Sequence, residues 1–175
     1  MTATWIERLT RSAEGLALRG TFAQSGRLSL VGLSGPARLL WPLLSCEGPL
    51  LVIVAHERDV EPTAQDLRTL ATEAGRAGSV LTLPSPGPLP FRGLPRHGEA
   101  AWRRAAALHA AARQTLCAWV ASPAGLLRPV LRPDLLGTRV VSLTRGEEMT
   151  PEILIEALHE AGYQREDPVT APGQT

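Results

Sequence analysis

Leu28-Ser29-Leu30-Val31-Gly32-Leu33-Ser34-Gly35-Pro36-Ala37-Arg38-Leu39-Leu40 is the stretch on which the fold assignment turns. It reads as a buried strand over 28–31, a glycine turn, and the start of a helix. That is the layout of a phosphate-binding loop, G-x-x-x-x-G-K-[ST]. Gly32 stands where the first glycine belongs. Ala37 replaces the second glycine, Arg38 the lysine, and Leu39 the hydroxyl residue. Each replacement removes a function. A Cβ at position 37 hinders close backbone approach to a phosphate. A guanidinium keeps the charge but not the compact ammonium that reaches β- and γ-phosphates. Leu39 offers Mg2+ no oxygen. Gly32, Ser34, Gly35, Ala37 and Arg38 therefore read as a vestigial phosphate loop that binds no cofactor.

Outward from this loop, the hydrophobic pattern alternates between strand and helix. Leu50–Val54 is an unbroken apolar, β-branched run, the signature of a strand buried on both faces of a parallel sheet. Val60–Ala74 follows as a helix with Leu67, Leu70 and Ala71 at core spacing. Ser79–Leu83 and Leu116–Ala121 read as further strands, with an alanine-rich helix at 99–114 between them. The order predicts an α/β domain with a parallel sheet and right-handed crossovers. Pro123–Leu131 reads as a short helical turn that Pro129 and Pro133 stop. Thr138–Leu143 and Tyr163–Val169 read as two more strands. Between them lies a helix opened by Thr150 as cap and Pro151 at its first position, and closed by Gly162. Its expected apolar face is Ile153, Leu154, Ala157, Leu158 and Ala161. On the N-terminal side, residues 4–13 read as an amphipathic helix ended near Gly15, and Gly20–Gly26 as a connector. The proline-rich stretch 84–98 excludes regular helix and central strand.

Composition narrows the chemistry. The chain has 175 residues, 44% apolar, with a formal net charge of +1. All 18 of its basic Lys/Arg positions are arginine. A lysine-dependent phosphate site or Schiff base within this chain is thereby excluded. The charge is unevenly placed. Residues 92–145 carry nine arginines against Glu99 and Asp134, a net +7, and residues 146–175 carry seven acids against Arg165, a net −6. Arg92, Arg96, Arg103, Arg104 and Arg113 flank or sit on one helix, a pattern open to phosphate contact or to pairing with the acidic third. Cys46 and Cys117 are isolated and read as reduced core residues. No apolar run approaches the ~20 residues that span a bilayer, and the expected compartment is the cytoplasm. His56-Glu57 with Asp59 is the one cluster of metal-ligand types. Three such residues in a loop are more often solvated than ligating, so no metal is expected. Pro36 stands where a nucleophile elbow, G-x-S-x-G, requires glycine, which disfavours a serine hydrolase at Ser34.

Three passages resemble the N-terminal region of bacterial transcription-repair coupling factors, whose opening domains are similar to those of the excision-repair protein UvrB. One is Gly32–Ala37, similar to that family's degenerate phosphate loop. Another is Leu89-Pro90-Phe91 through Arg96-His97-Gly98-Glu99 to Arg104 and Leu108. The third is Leu158–Val169 with Pro172-Gly173, which resembles L-x-x-x-G-Y-x-R-x-D-x-V-x-x-P-G-E. The resemblance implies an N-terminal helix and connector (1–27), a UvrB-like vestigial ATPase-type domain (28–139), and the start of a smaller α/β unit of UvrA-binding type (140–175). It implies a non-catalytic scaffold whose partners are UvrA and other domains of a longer parent chain, with DNA contact secondary. ATP and Mg2+ would serve a translocase module elsewhere in that parent. The family continues past the P-G-E motif, so this chain is expected to be a truncated piece of it. Arg145, Tyr163 and Arg165, which fall in the second unit, are the candidate partner contacts. The rival reading is the N-terminal lobe of an ATP-dependent helicase that retains weak nucleotide or DNA binding.

Overall fold

The computed structural model describes residues 5–87, 98–130, 132–137, 140–141, 143–146, 148–163 and 165. Three helices come first: α1 (Trp5–Thr10), α2 (Ala13–Ser25) and α3 (Ala37–Ser45). Strand β1 (Leu50–Ile53) follows, then a 3-10 turn (Glu57–Asp59) running into α4 (Val60–Glu73). Next come β2 (Ser79–Leu83), α5 (Gly98–Ala112) and β3 (Leu116–Ala121). Short helices α6 (Pro123–Leu126) and α7 (Pro133–Gly137) and the longer α8 (Pro151–Glu160) complete the order.

The three strands form one parallel sheet in the order β1-β3-β2. The chain thus enters at one edge, crosses to the other through α4, and returns to the centre through α5. Successive side chains of a strand point to opposite faces, and the sheet is covered accordingly. Val80, Ala118 and Val120 pack with Leu39 and Leu43 of α3 and with Val60, Ala64 and Leu67 of α4. Leu83 and Ala121 pack on the other face with Ala107 of α5, beside Leu81, Trp119 and Leu126. Central β3 is shielded from both sides, which is why Leu116–Ala121 reads as continuously apolar.

A bulge interrupts this alternation. Ser79 pairs with Leu116 but Val80 pairs with Ala118, so Cys117 is an extra residue in β3. The extra residue turns Cys117 to the α4 face with Ala118. Opposite it, Gly78 holds φ +99°, and a Cβ there would lie 2.7 Å from the Cys117 amide nitrogen. Both cysteines are free thiols.

The helix ends follow capping chemistry. Gly162 donates to the His159 carbonyl and Tyr163 to that of Leu158, closing α8 as a Schellman motif. Helix α5 ends the same way, with Gln114 and Thr115 donating to Ala111 and Ala110. There, however, the left-handed position (φ +55°) is filled by Gln114 rather than glycine. A side chain in that region costs about 1–2 kcal/mol. Gln114→Gly is therefore expected to stabilise the protein by about 0.5–1 kcal/mol, after glycine's extra chain entropy is charged against it. Thermal unfolding of the variant measures this.

Several sequence expectations need correction. Residues 28–31 form no strand: Ser29, Leu30 and Val31 are exposed, Val31 at 91%. A strand requires a neighbour to pair with and a face to bury, and these residues have neither in the described structure. The expected connector at 20–26 is helix, because α2 runs through Gly15 and Gly20 to a left-handed cap at Gly26. Ser12 caps it, its Oγ accepting from the Gly15 amide at 3.0 Å. Pro133 does not merely stop a helix but opens α7, its missing N–H costing nothing in a first turn. Thr150 holds the N-cap position of α8, yet its hydroxyl makes no capping bond. Ile153 of α8 is exposed rather than packed. Val140, Val141 and Leu143 form no strand, nor do Tyr163 and Arg165; the remaining residues of those two expected strands lie outside the described residues. The proline-rich stretch from Pro88 to His97 also lies outside them.

Candidate functional site

In open α/β sheets ligands enter beyond the carboxyl ends of the strands. Here those ends are Ile53, Leu83 and Ala121, and one polar network ties together the segments that leave them. The Glu57 carboxylate, four residues past β1, accepts from the Ser85 amide at 2.7 Å. Its other oxygen accepts a short hydrogen bond from the Ser122 hydroxyl. Ser122 Oγ in turn accepts from the Gly125 amide at 3.3 Å, capping α6. Arg104 of α5 completes the set: Nη1 donates to the carbonyls of Pro84 and Gly125, both at 2.8 Å. Loops after all three strands and one helix are thereby linked.

Arg104 is only 8% exposed and Ser122 1%. Burial lowers the Arg104 pKa, the Glu57 charge opposes that shift, and Arg128 adds to it. A guanidinium remains charged across the neutral range regardless. What this arrangement can do chemically is limited by what it has already spent. Ser122 both donates and accepts within the network and is closed to solvent, so it is a cap rather than a nucleophile. Both oxygens of Glu57 are engaged by the protein.

The phosphate-loop residues lie elsewhere. Gly32, Ser34, Gly35, Ala37 and Arg38 are all exposed, with Gly32 and Gly35 at positive φ. The Ala37 amide donates back to the Ser34 carbonyl at 3.3 Å. No strand leads into this turn, so its amides are not aimed from the end of a sheet as a phosphate cradle's would be.

The other sequence candidates are scattered. Of His56, Glu57 and Asp59, Glu57 joins the network, His56 is exposed, and Asp59 lies 3.9 Å from Arg58. No three metal-ligand side chains converge among the described residues. Arg145, Tyr163 and Arg165 are exposed, Tyr163 at 40%. The basic helix is partly consumed from within. Arg103 pairs with Glu99 at 2.7 Å and Glu61 at 3.2 Å, and Arg104 is buried. Those partner acids belong to α5 and α4, not to the acidic C-terminal third. Arg113 is exposed, while Arg92 and Arg96 lie outside the described residues.

Sequence reading missed the Glu57–Ser122–Arg104 network. Ser122-Pro123 was legible as a helix start, because serine suits the cap and proline the first turn. That Glu57 would meet a hydroxyl 65 residues away was not. No protein-family model matches the chain, and no curated protein matches it. Among the described residues no helix is long and apolar enough to cross a membrane.

Proposed function

We propose that this chain is a non-catalytic protein-interaction scaffold of a transcription-coupled DNA repair factor, helping to bring the UvrA excision-repair machinery to stalled RNA polymerase in the cytoplasm. In finer terms it is a UvrB-like domain with a degenerate phosphate loop, followed by the start of a UvrA-binding-type unit. One observation supports the non-catalytic half. The carboxyl edge of the sheet, where an α/β enzyme of this topology would take its ligand, is tied up by the protein itself: Glu57 accepts from Ser85 and Ser122, and Arg104 donates to the Pro84 and Gly125 carbonyls. The missing lysine and hydroxyl at Arg38 and Leu39 agree with it. The loop's descent from an ATPase rests on sequence alone, since no strand feeds the turn in the described structure. The choice of UvrA as partner rests on the sequence resemblance around Leu158–Gly173.

Calorimetric titration with ATP and Mg2+ is expected to give no binding in the micromolar range. A clear micromolar isotherm, lost in Arg38→Ala, would sink the scaffold reading and restore the helicase-lobe alternative. A UvrA pull-down tests the partner, with this chain and with a version extended past Thr175. Capture by either, reduced by charge reversal at Arg145 or Arg165, supports the assignment. Failure of both removes it.

A further inference from the structure

Helix α3 is buried on two sides. Leu39 and Leu43 face the sheet and belong to its core. Two residues turn a helix by about 200°, so Trp41 and Ser45, each two places from Leu43, lie on the far side. Trp41 is nonetheless only 9% exposed, and its neighbour Leu40 is buried too. Helix α2 reaches this far side: Arg19 donates from Nη2 to the Leu44 carbonyl, next to Ser45, at 2.6 Å. Ile6 of α1 and Gly15 of α2 are themselves buried.

This joint is poorly satisfied. Arg19 Nε, Trp41 Nε1 and Ser45 Oγ are all shut off from solvent, and none has a hydrogen-bond partner. They are the three such side-chain atoms among the described residues, and all fall on Arg19 or within one turn of α3 at the carbonyl it binds. A buried donor left unpaired gives up its hydration and gains nothing in return. Three such losses at one contact oppose docking, and separation returns all three groups to water. The apolar gain on the other side is modest, since Gly15 is the one buried residue of α2 and Leu16 stays 57% exposed. The tether between α2 and α3 leaves room for motion. Residues 29–36 are exposed, and Gly26, Gly32 and Gly35 all sit at positive φ.

We infer that α1 and α2 form a releasable arm: they leave α3 together while the sheet and its core stay folded, and their departure uncovers Leu40 and Trp41. Helix α3 itself stays in place without them. Leu39 and Leu43 hold it to the sheet, and Arg76 ties down the chain beyond its end, donating to the Cys46 carbonyl at 2.6 Å and to that of Gly48 at 2.8 Å. Helix α2, at 13 residues, is too short to hold its hydrogen bonds once alone in water, so its amides exchange in the released state. The device is a cover set loosely by its own unpaired donors. It hides an apolar strip at rest and frees it in a minor population.

Native-state hydrogen exchange of the chain, read by NMR at the backbone amides and at the Trp41 indole N–H, tests this. The α2 amides and the Trp41 indole proton are expected to exchange through one opening, with protection at least about a hundredfold below that of Ala118 and Val120 in β3. Ser45→Ala deletes one unpaired atom from a helix that persists in both states. It is expected to slow exchange at both sites about fivefold or more. Protection of α2 equal to that of β3 overturns the inference. So does a Trp41 indole proton that follows β3 rather than α2, or a Ser45→Ala protein whose α2 amides exchange as fast as before or faster.

Discussion

Gly125→Ala is expected to cost about 3 kcal/mol or more. The added Cβ would fall 2.4 Å from the Leu83 carbonyl oxygen and 3.5 Å from the carbonyl carbons of Leu83 and Pro84. All three obstacles are backbone, so no side chain can swing aside. Relief requires α6 to move away from the end of β2. That motion stretches the Gly125 amide bond to Ser122 and the bond from Arg104 to the Gly125 carbonyl. Steric and polar losses therefore arrive together. Gly20→Ala is the control. It lies in exposed helix α2 with no atom within 4 Å of its would-be Cβ, so alanine there is expected to add about 0.5–1 kcal/mol. Urea unfolding of the two variants should give changes of opposite sign. A Gly125→Ala protein as stable as wild type would mean that α6 is not held against β2.

Arg104→Met is expected to cost about 3 kcal/mol, against less than about 1 kcal/mol for Arg103→Met one position away. The two arginines are adjacent in sequence and opposite in circumstance. Arg103 is half-buried and makes solvent-screened pairs with Glu99 and Glu61, the kind whose worth is small. Arg104 is nearly closed to water, and its Nη1 satisfies two carbonyls. Methionine matches the aliphatic stem but leaves both carbonyls unpartnered, each costing about 1–3 kcal/mol where it stays buried. It also removes the cation facing Glu57. Relief of the buried charge offsets part of this, since the same burial lowers the Arg104 pKa. Arginine titrates far above neutrality, so the difference between the two variants is expected to hold unchanged across the neutral pH range. Equal stability of the two variants would show that the network at the strand ends contributes nothing.

How much of this could be read beforehand depended on the range of the interaction. Ser79–Leu83 and Leu116–Ala121 were legible residue for residue, and β1 to within Val54, from short apolar runs bounded by turn residues; the two-face burial expected of β1 is not found, since Leu51 and Ile53 of this edge strand are exposed and only central β3 is covered on both sides. Helix α4 was legible from Leu67, Leu70 and Ala71 at core spacing, and the end of α8 from Gly162. Leu28–Val31 carries a similar apolar signal and yet is no strand. Strand propensity is a fit to a surface, and these residues have none beside them in the described structure. Arg104 was read with Arg103 as part of a basic stripe, and nothing in that charge pattern marks it as the buried one. Only the approach of β2 and α6 to α5 separates a buried tie from a solvated pair.

The chain by itself determined the parallel α/β class, the positions of the three strands and the presence of arginine and leucine at positions 38 and 39, all of which reside in local pattern and residue identity. Tertiary structure alone decided that Glu57, Ser122 and Arg104 tie the loops at the carboxyl edge together, that Arg68 and Glu61 lie along β2, and that residues 28–31 stand outside the sheet. Those outcomes depend on which backbone groups meet across tens of residues. Hydrogen-bond satisfaction at such contacts is a property of the assembled core that no window of sequence contains.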